Sequence, residues 1–304
     1  MAFPRATLAA PAKLNLYLHV TGKRADGYHL LDSLVAFTDI YDTLTLSPAP
    51  SLAFTADGPF AGGFGDEYPA TNLVVRAARG LGAAAGRDVQ VAFHLTKNLP
   101  VASGIGGGSA NAAAALRGLA RLWDIDPLSP TVLDVAAGLG ADIPACVAGR
   151  ACFMGGIGTE LGSAPDLPEA GLLLVNPGVG LSTPSVYRAR TGGFTPPMRF
   201  DAPPADVDAL VARLGERRND LTDPAVSLLP EIGGVLVAIG DLPDCKLARM
   251  SGSGATCFGI FADVAAATRA GEALKQDHPG WWIAPGRLLA DATVLDSTPR
   301  PLAP

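Results

Sequence analysis

One glycine-rich segment constrains this chain more than any other: Leu99-Pro100-Val101-Ala102-Ser103-Gly104-Ile105-Gly106-Gly107-Gly108-Ser109-Ala110-Asn111. Before it, Val89, Val91, Phe93 and Leu95 alternate with Gln90, Ala92, His94 and Thr96, the period of a strand with two unlike faces. After it, an alanine-rich run to Trp123 reads as a helix. Strand, side-chain-poor loop and helix in that order let successive backbone N–H groups converge on an anion at the helix N-terminus. The segment is not a Walker loop, because no Gly-Lys-Ser/Thr closes it. Nor is it a dinucleotide fingerprint, because Ser109 stands where the last glycine belongs. Taken alone it leaves two readings open, a phosphate cradle and a plain surface turn ahead of a helix.

Composition narrows the class of protein around that loop. The 304 residues suggest about two domains. With 48% hydrophobic and 17% charged residues, such a chain buries enough apolar surface to offset its ordering entropy. The 36 Gly and 26 Pro follow no three-residue period, so they mark turns and backbone-lined sites. A net charge of −6 provides no global field for a nucleic acid, and an anionic ligand needs a local site. Cys146, Cys152, Cys245 and Cys257 form no C-x-x-C pair, which points to reduced thiols without a catalytic role. Apolar runs such as Ile232 to Gly240 fall far short of the ~20 residues that cross a bilayer. Pro11 and Lys13 interrupt the N-terminal alanines too early for a secretory signal, so cytoplasmic residence is the expectation.

Periodicity places the other elements. Leu14, Leu16, Leu18 and Val20 alternate with Lys13, Asn15, Tyr17 and His19, predicting a strand with one buried face. Asp26-Gly27 predicts a turn, and Thr43 to Leu46 a second strand. Thr71 or Asn72 caps a helix that Gly82 closes; Ser129, with its hydroxyl as cap, and Pro130 open another that ends at Gly138 or Gly140. Beyond about residue 150, short strands (Leu172 to Val175, Cys257 to Phe261) alternate with helical stretches (Asp220 to Ile239, Val264 to Leu274). The glycines between Met154 and Gly158 suit a crossing between domains 1–154 and 155–304, and the last eight or so residues read as frayed.

Four further blocks surround the loop: Pro11-Ala12-Lys13-Leu14-Asn15-Leu16, Gly27-Tyr28-His29, Gly140-Ala141-Asp142-Ile143-Pro144, and Met250-Ser251-Gly252-Ser253-Gly254-Ala255-Thr256. Together, from Ala10 to about Phe261, the five blocks resemble the GHMP kinase superfamily. The resemblance implies an α+β fold of two domains, the N-terminal one like the second domain of ribosomal protein S5 and the C-terminal one ferredoxin-like. It implies phosphoryl transfer from ATP to the 2-hydroxyl of a small-molecule cytidine diphosphate substrate carrying methylerythritol, with Mg2+ accompanying ATP. A nucleic acid or membrane partner is not expected, and the working unit is a monomer or weak homodimer.

Residue by residue, the resemblance makes Asp142 the group that accepts or orients the proton of the attacking hydroxyl, with Lys13 holding it ionised. The bare sequence also allows Asp142 as a helix N-cap, and Lys13 with Asn15 as an exposed polar face. Pro100 through Ala110 bind the ATP phosphates, while Asn72 and Lys97 meet adenine and ribose; the plain alternatives are a helix cap and a loop lysine. Tyr28, His29 and Tyr187 take the cytosine, against a reading of the first two as turn-flanking side chains. Asn15, Thr183, Gly252, Ser253 and Gly254 face the rest of the substrate. Ser109 is the candidate Mg2+ ligand, with no acidic partner in these motifs. The loop departs from the family by Ala102-Ser103 where glycine is frequent, by Ile105 for Leu, and by Asn111 for a frequent Asp. Rival readings are another GHMP kinase, for mevalonate, homoserine or a sugar, and a noncatalytic nucleotide-binding protein, which ought to lack Lys13 or Asp142.

Overall fold

The first strand, β1 (Ala6–Lys23), is longer than its alternating middle predicts and is buried on both faces. In the computed structural model, which describes residues 5–63 and 71–297, it passes through three apolar cores in succession. Leu8 and Ala10 belong to the first, Ala12, Leu14, Leu16 and Tyr17 to the second, Leu18 and Val20 to the third. The expectation of one buried face is therefore corrected: Lys13, Asn15 and His19 are as buried as the leucines. Alternation reports side-chain polarity, and here polar side chains face other packed elements instead of water.

The chain continues through β2 (His29–Pro48), β3 (Ala53–Asp57), α1 (Leu73–Ala85), β4 (Val91–Thr96), α2 (Gly107–Leu122), α3 (Pro130–Leu139) and α4 (Ile143–Ala148). A hairpin follows, β5 (Cys152–Gly156) and β6 (Glu160–Ser163). The remainder is β7 (Ala170–Asn176), α5 (Thr183–Ala189), α6 (Val207–Gly215), α7 (Thr222–Leu228), α8 (Glu231–Gly240), β8 (Leu247–Met250), β9 (Cys257–Phe261), α9 (Val264–Asp277) and β10 (Trp282–Leu289). β1 and β2 form a long antiparallel ribbon with register shifts, one at Pro11, which has no N–H for the ladder. The other edge of β2 is shared by β5, β10 and β4.

The C-terminal strands pair in the order β10-β7-β9-β8, all antiparallel. With helices after the first and third of them in sequence, this is the split βαβ arrangement of a ferredoxin-like unit, inside an α+β whole. α2 packs against β1, β2, α1 and α4. Its alanines permit that close approach: a side chain at Gly118 would meet Leu46 Cδ2 at 2.7 Å.

Three boundaries differ from expectation. α1 runs through Gly82, which is buried, and stops at Gly86, whose N–H returns to Ala83 and Gly82 carbonyls. α3 starts after Ser129 as expected, but that hydroxyl makes no cap bond. The stretch Asp220 to Ile239 is two helices, because Pro230 stands between α7 and α8. The frayed tail expected for the last residues lies, from 298 onward, outside the described residues. No helix among the described residues is long and apolar enough to cross a membrane.

Candidate active site

A cleft of about 1390 Å³ opens where the middle of β1, the glycine loop, the start of α4, α5 and the loop between β8 and β9 converge. At its floor Lys13 Nζ lies 3.0 Å from Asp142 Oδ2. The same ammonium donates to Asn15 Oδ1 at 2.9 Å, Asn15 Nδ2 donates to Ser33 Oγ at 2.8 Å, and Ser33 Oγ donates to the Tyr17 carbonyl. Lys13 and Asn15, two apart on a strand, thus share one face as their spacing requires. Both are 3% exposed, which removes the exposed-face alternative. Asp142 occupies the N-cap position of α4, yet its backbone is helical and its side chain caps nothing. About a third of that side chain is open to the cleft.

The glycine loop lies directly over this pair. Gly106, at the N-cap of α2, has φ of 64°, and a side chain there would meet Lys13 Cβ and Cε at 3.2 Å. Gly104 has φ of 76°, and a Cβ would lie 2.6 Å from the carbonyl oxygens of Ser251 and Gly254. Backbone conformation favours glycine at both positions, and at Gly104 the backbone contact requires it as well. Ser251, buried, ties three segments together: its hydroxyl accepts from Asn15 N at 3.2 Å and donates to the Gly104 carbonyl at 3.0 Å. Asn219 holds the same loop by donating to the Met250 and Gly252 carbonyls. Ser251 falls in one of the five sequence blocks, whereas Asn219 carries no sequence signal, since it acts on backbone groups about thirty residues further along the chain.

Pro100 to Gly104 and Gly106 to Ser109 line the cleft, with Gly252, Ser253 and Thr183 opposite. The hydroxyls of Thr183 and Ser253 are 2.7 Å apart. Ile105, Ala110 and Gly254 do not line it. The first two side chains are in the cores, and Gly254 packs against Met250 and Ile232. Asn72 accepts from Val74 N at 2.9 Å as the cap of α1 and also lines the cleft. Lys97 is no ordinary loop lysine: it is buried and ion-paired with Asp42 at 2.7 Å, with an edge toward the cleft.

At the far end His29 stacks on Tyr187, with ring centroids 5.0 Å apart and planes at 24°. Tyr28 is 61% exposed beside them. Burial, then the charges of Lys23 and Arg190, hold the His29 imidazole below its ordinary range. Lys23, Arg188 and Arg190 line this end and pair with no carboxylate among the described residues, a local positive region in an acidic protein. Their separation in sequence hid them. The described residues include no group of three or more His, Cys, Asp or Glu that could hold a metal.

The family described as GHMP kinases N terminal domain matches residues 72–150, and GHMP kinases C terminal matches residues 205–280. A 4-diphosphocytidyl-2-C-methyl-D-erythritol kinase of Paramagnetospirillum magneticum is 53% identical over 93% of this chain and 99% of its own length. A crystal structure of a 4-(cytidine 5'-diphospho)-2C-methyl-D-erythritol kinase superposes with a TM-score of 0.77 at 33% identity, covering 93% of this chain and 99% of the other. A homoserine kinase from Cytophaga hutchinsonii shares the fold, with a TM-score of 0.70 at 15% identity over 94% of this chain and 95% of its own. The chain belongs to the GHMP kinase family, and within it to the family of 4-diphosphocytidyl-2-C-methyl-D-erythritol kinases.

Proposed function

We propose that this chain transfers the γ-phosphoryl group of ATP to the 2-hydroxyl of 4-diphosphocytidyl-2-C-methyl-D-erythritol, giving the 2-phosphate and ADP. The observation that carries it is the Lys13–Asp142 pair lying beneath the glycine loop, in one cleft with the His29–Tyr187 stack. A phosphoryl-transfer transition state is loose, so positioning and electrostatics supply most of the acceleration. Asp142 receives or orients the hydroxyl proton; Lys13, anchored by Asn15, holds that carboxylate in place and screens developing charge. The backbone N–H groups of Val101 to Gly104 and Gly106 to Ser109, which line the cleft, cradle the phosphates, and Asn72 and Lys97 meet adenine and ribose. Tyr28 and Tyr187 offer aromatic faces to the cytosine while His29 reads its edge; Thr183, Gly252 and Ser253 flank the remainder.

Mg2+ is part of the proposal as the counter-ion of ATP. Asn111 Oδ1, buried among cleft-lining residues one turn into α2, has no hydrogen-bond partner, and a hard oxygen of that kind suits a hydrated divalent ion. Ser109 would hold it from the cradle, and when bound it would supply positive charge against the phosphates. ATP is handled by the half up to residue 154, and residues from 155 onward complete the substrate side. Four unpaired cysteines suit a reducing cytoplasm, and the catalytic unit is a monomer or weak homodimer.

A coupled ADP-release assay tests the reading. ADP release is expected with the cytidine diphosphate substrate and to be at least a hundredfold less efficient with mevalonate or homoserine. Equal or greater efficiency with either would overturn the substrate assignment.

A further inference from the structure

Asp42 lies in β2 opposite Ala10 of β1, and none of its neighbours in the sequence marks it as functional. It is fully buried, and both carboxylate oxygens are engaged at the entrance to the glycine loop. Oδ1 accepts from the backbone N–H groups of Asn98, at 2.6 Å, and Leu99, at 2.8 Å. Oδ2 accepts from Lys97 Nζ at 2.7 Å. That ammonium also donates to the Leu99 carbonyl at 2.6 Å, so two of its three protons are committed. A Cβ built on Gly107 would lie 3.3 Å from Lys97 Nζ, which sets the ammonium against the first residue of α2. A cation at a helix N-terminus opposes the helix dipole and needs a nearby negative charge. Asp42 supplies it from below.

We infer that Asp42 is a positioning residue of the ATP site: it fixes the Lys97 ammonium and the Asn98–Leu99 entrance to the cradle as one unit, so that ATP meets a preformed surface. The inference rests on Lys97 contacting ATP, as proposed above. Asp42 does not touch ATP; it acts through Lys97 and through two backbone amides.

Asp42→Asn separates these two routes. The amide oxygen can still accept from Asn98 and Leu99, whereas the NH2 end cannot accept from an ammonium. Steady-state kinetics of D42N should show KM for ATP raised at least tenfold, with kcat at saturating ATP and KM for the cytidine diphosphate substrate within twofold of wild type. Calorimetric titration with ADP should show the same loss in Kd at unchanged stoichiometry. K97M should raise KM for ATP comparably, and adding D42N to K97M should change it less than twofold, because the partner is already gone. If D42N does not fold, D42E takes its place: it keeps the charge but displaces the ammonium, so KM for ATP should rise at least threefold with kcat unchanged, and an unchanged KM for ATP in a folded D42E overturns the inference. The inference is overturned if D42N lowers kcat or binding stoichiometry with both KM values unchanged, since that is mere loss of folded protein. It is equally overturned if D42N leaves KM for ATP unchanged while K97M raises it. No effect of K97M on ATP would instead refute the Lys97 contact, and the inference with it.

Discussion

Replacing Asp142 separates a catalytic carboxylate from one that only pairs with Lys13. Its Oδ2 lies 3.0 Å from Lys13 Nζ, with the lysine side chain 4% and the aspartate side chain 33% exposed. Asp142→Ala is expected to lower kcat by roughly 10²- to 10⁴-fold, the range for a positioned acid or base, or about 3–5 kcal/mol of barrier. The stability cost should be far smaller. Breaking a fully buried pair costs about 3–5 kcal/mol, but here water can reach the lysine from the cleft and Asn15 Oδ1 still accepts from it, which leaves about 1–2 kcal/mol. ATP affinity should be retained. Because Lys13 and Asp142 act on one hydroxyl, Lys13→Met/Asp142→Ala should be little slower than either single variant. The assay is steady-state turnover per folded molecule, with folding verified by circular dichroism and ATP binding by calorimetry. Near-normal kcat in Asp142→Ala, or losses that multiply in the double variant, would refute the reasoning.

His29→Ala should raise KM for the cytidine diphosphate substrate at least tenfold and leave ATP binding unchanged, because it leaves the base edge unpaired in a desolvated site; calorimetry with each ligand separately checks this. Ala102 has φ of 51°, a left-handed conformation that costs an L-residue about 1–2 kcal/mol. Ala102→Gly should therefore raise stability by about 0.5–1 kcal/mol after glycine's own entropy cost, and an unchanged or lower urea midpoint would count against it. His19 is buried; its Nδ1–H donates to the Pro196 carbonyl and its Nε2 accepts from Arg218 N, an arrangement that fits the neutral ring. Burial foremost lowers its pKa in the native state, so the unfolded chain binds more protons below its value of about 6.5. Stability should accordingly fall as pH drops through and below about 6.5, and denaturation midpoints of wild type and His19→Gln should converge there.

Backbone chemistry made much of the site legible. Gly104 and Gly106 announced themselves because both adopt a left-handed backbone that favours glycine, and Lys13 with Asn15 because strand spacing alone puts them on one face. The ferredoxin-like order of the last four strands came from resemblance; periodicity saw the individual strands and not their pairing. Asp42, Ser33, Asn219 and the linking role of Ser251, though not its motif, were illegible for one shared reason. Each works by a hydrogen bond to a group far away in sequence, and a single polar residue in an apolar strand or turn looks the same whether or not it has such a partner. The burial of β1 on both faces was hidden in the same way, since nothing within the strand reports that three cores meet along it.

The sharing of one edge of β2 among three strands bears on how the protein is made. As the chain leaves the ribosome, β1 is already present and β4 soon follows, so the Thr43–Pro48 end closes early. β5 covers Leu31 to Val35 much later. Phe37 and Thr38 wait for Leu289 and Leu288, roughly 250 residues further on, and for the segment whose Asp296 then receives Arg117 and Arg121. During that interval an apolar strand edge stands open, the condition under which nascent chains associate with one another. Loss of the C-terminal strand, distant in sequence from Lys13 and Asp142, is thus expected to surface as insoluble protein before any defect in chemistry could be measured.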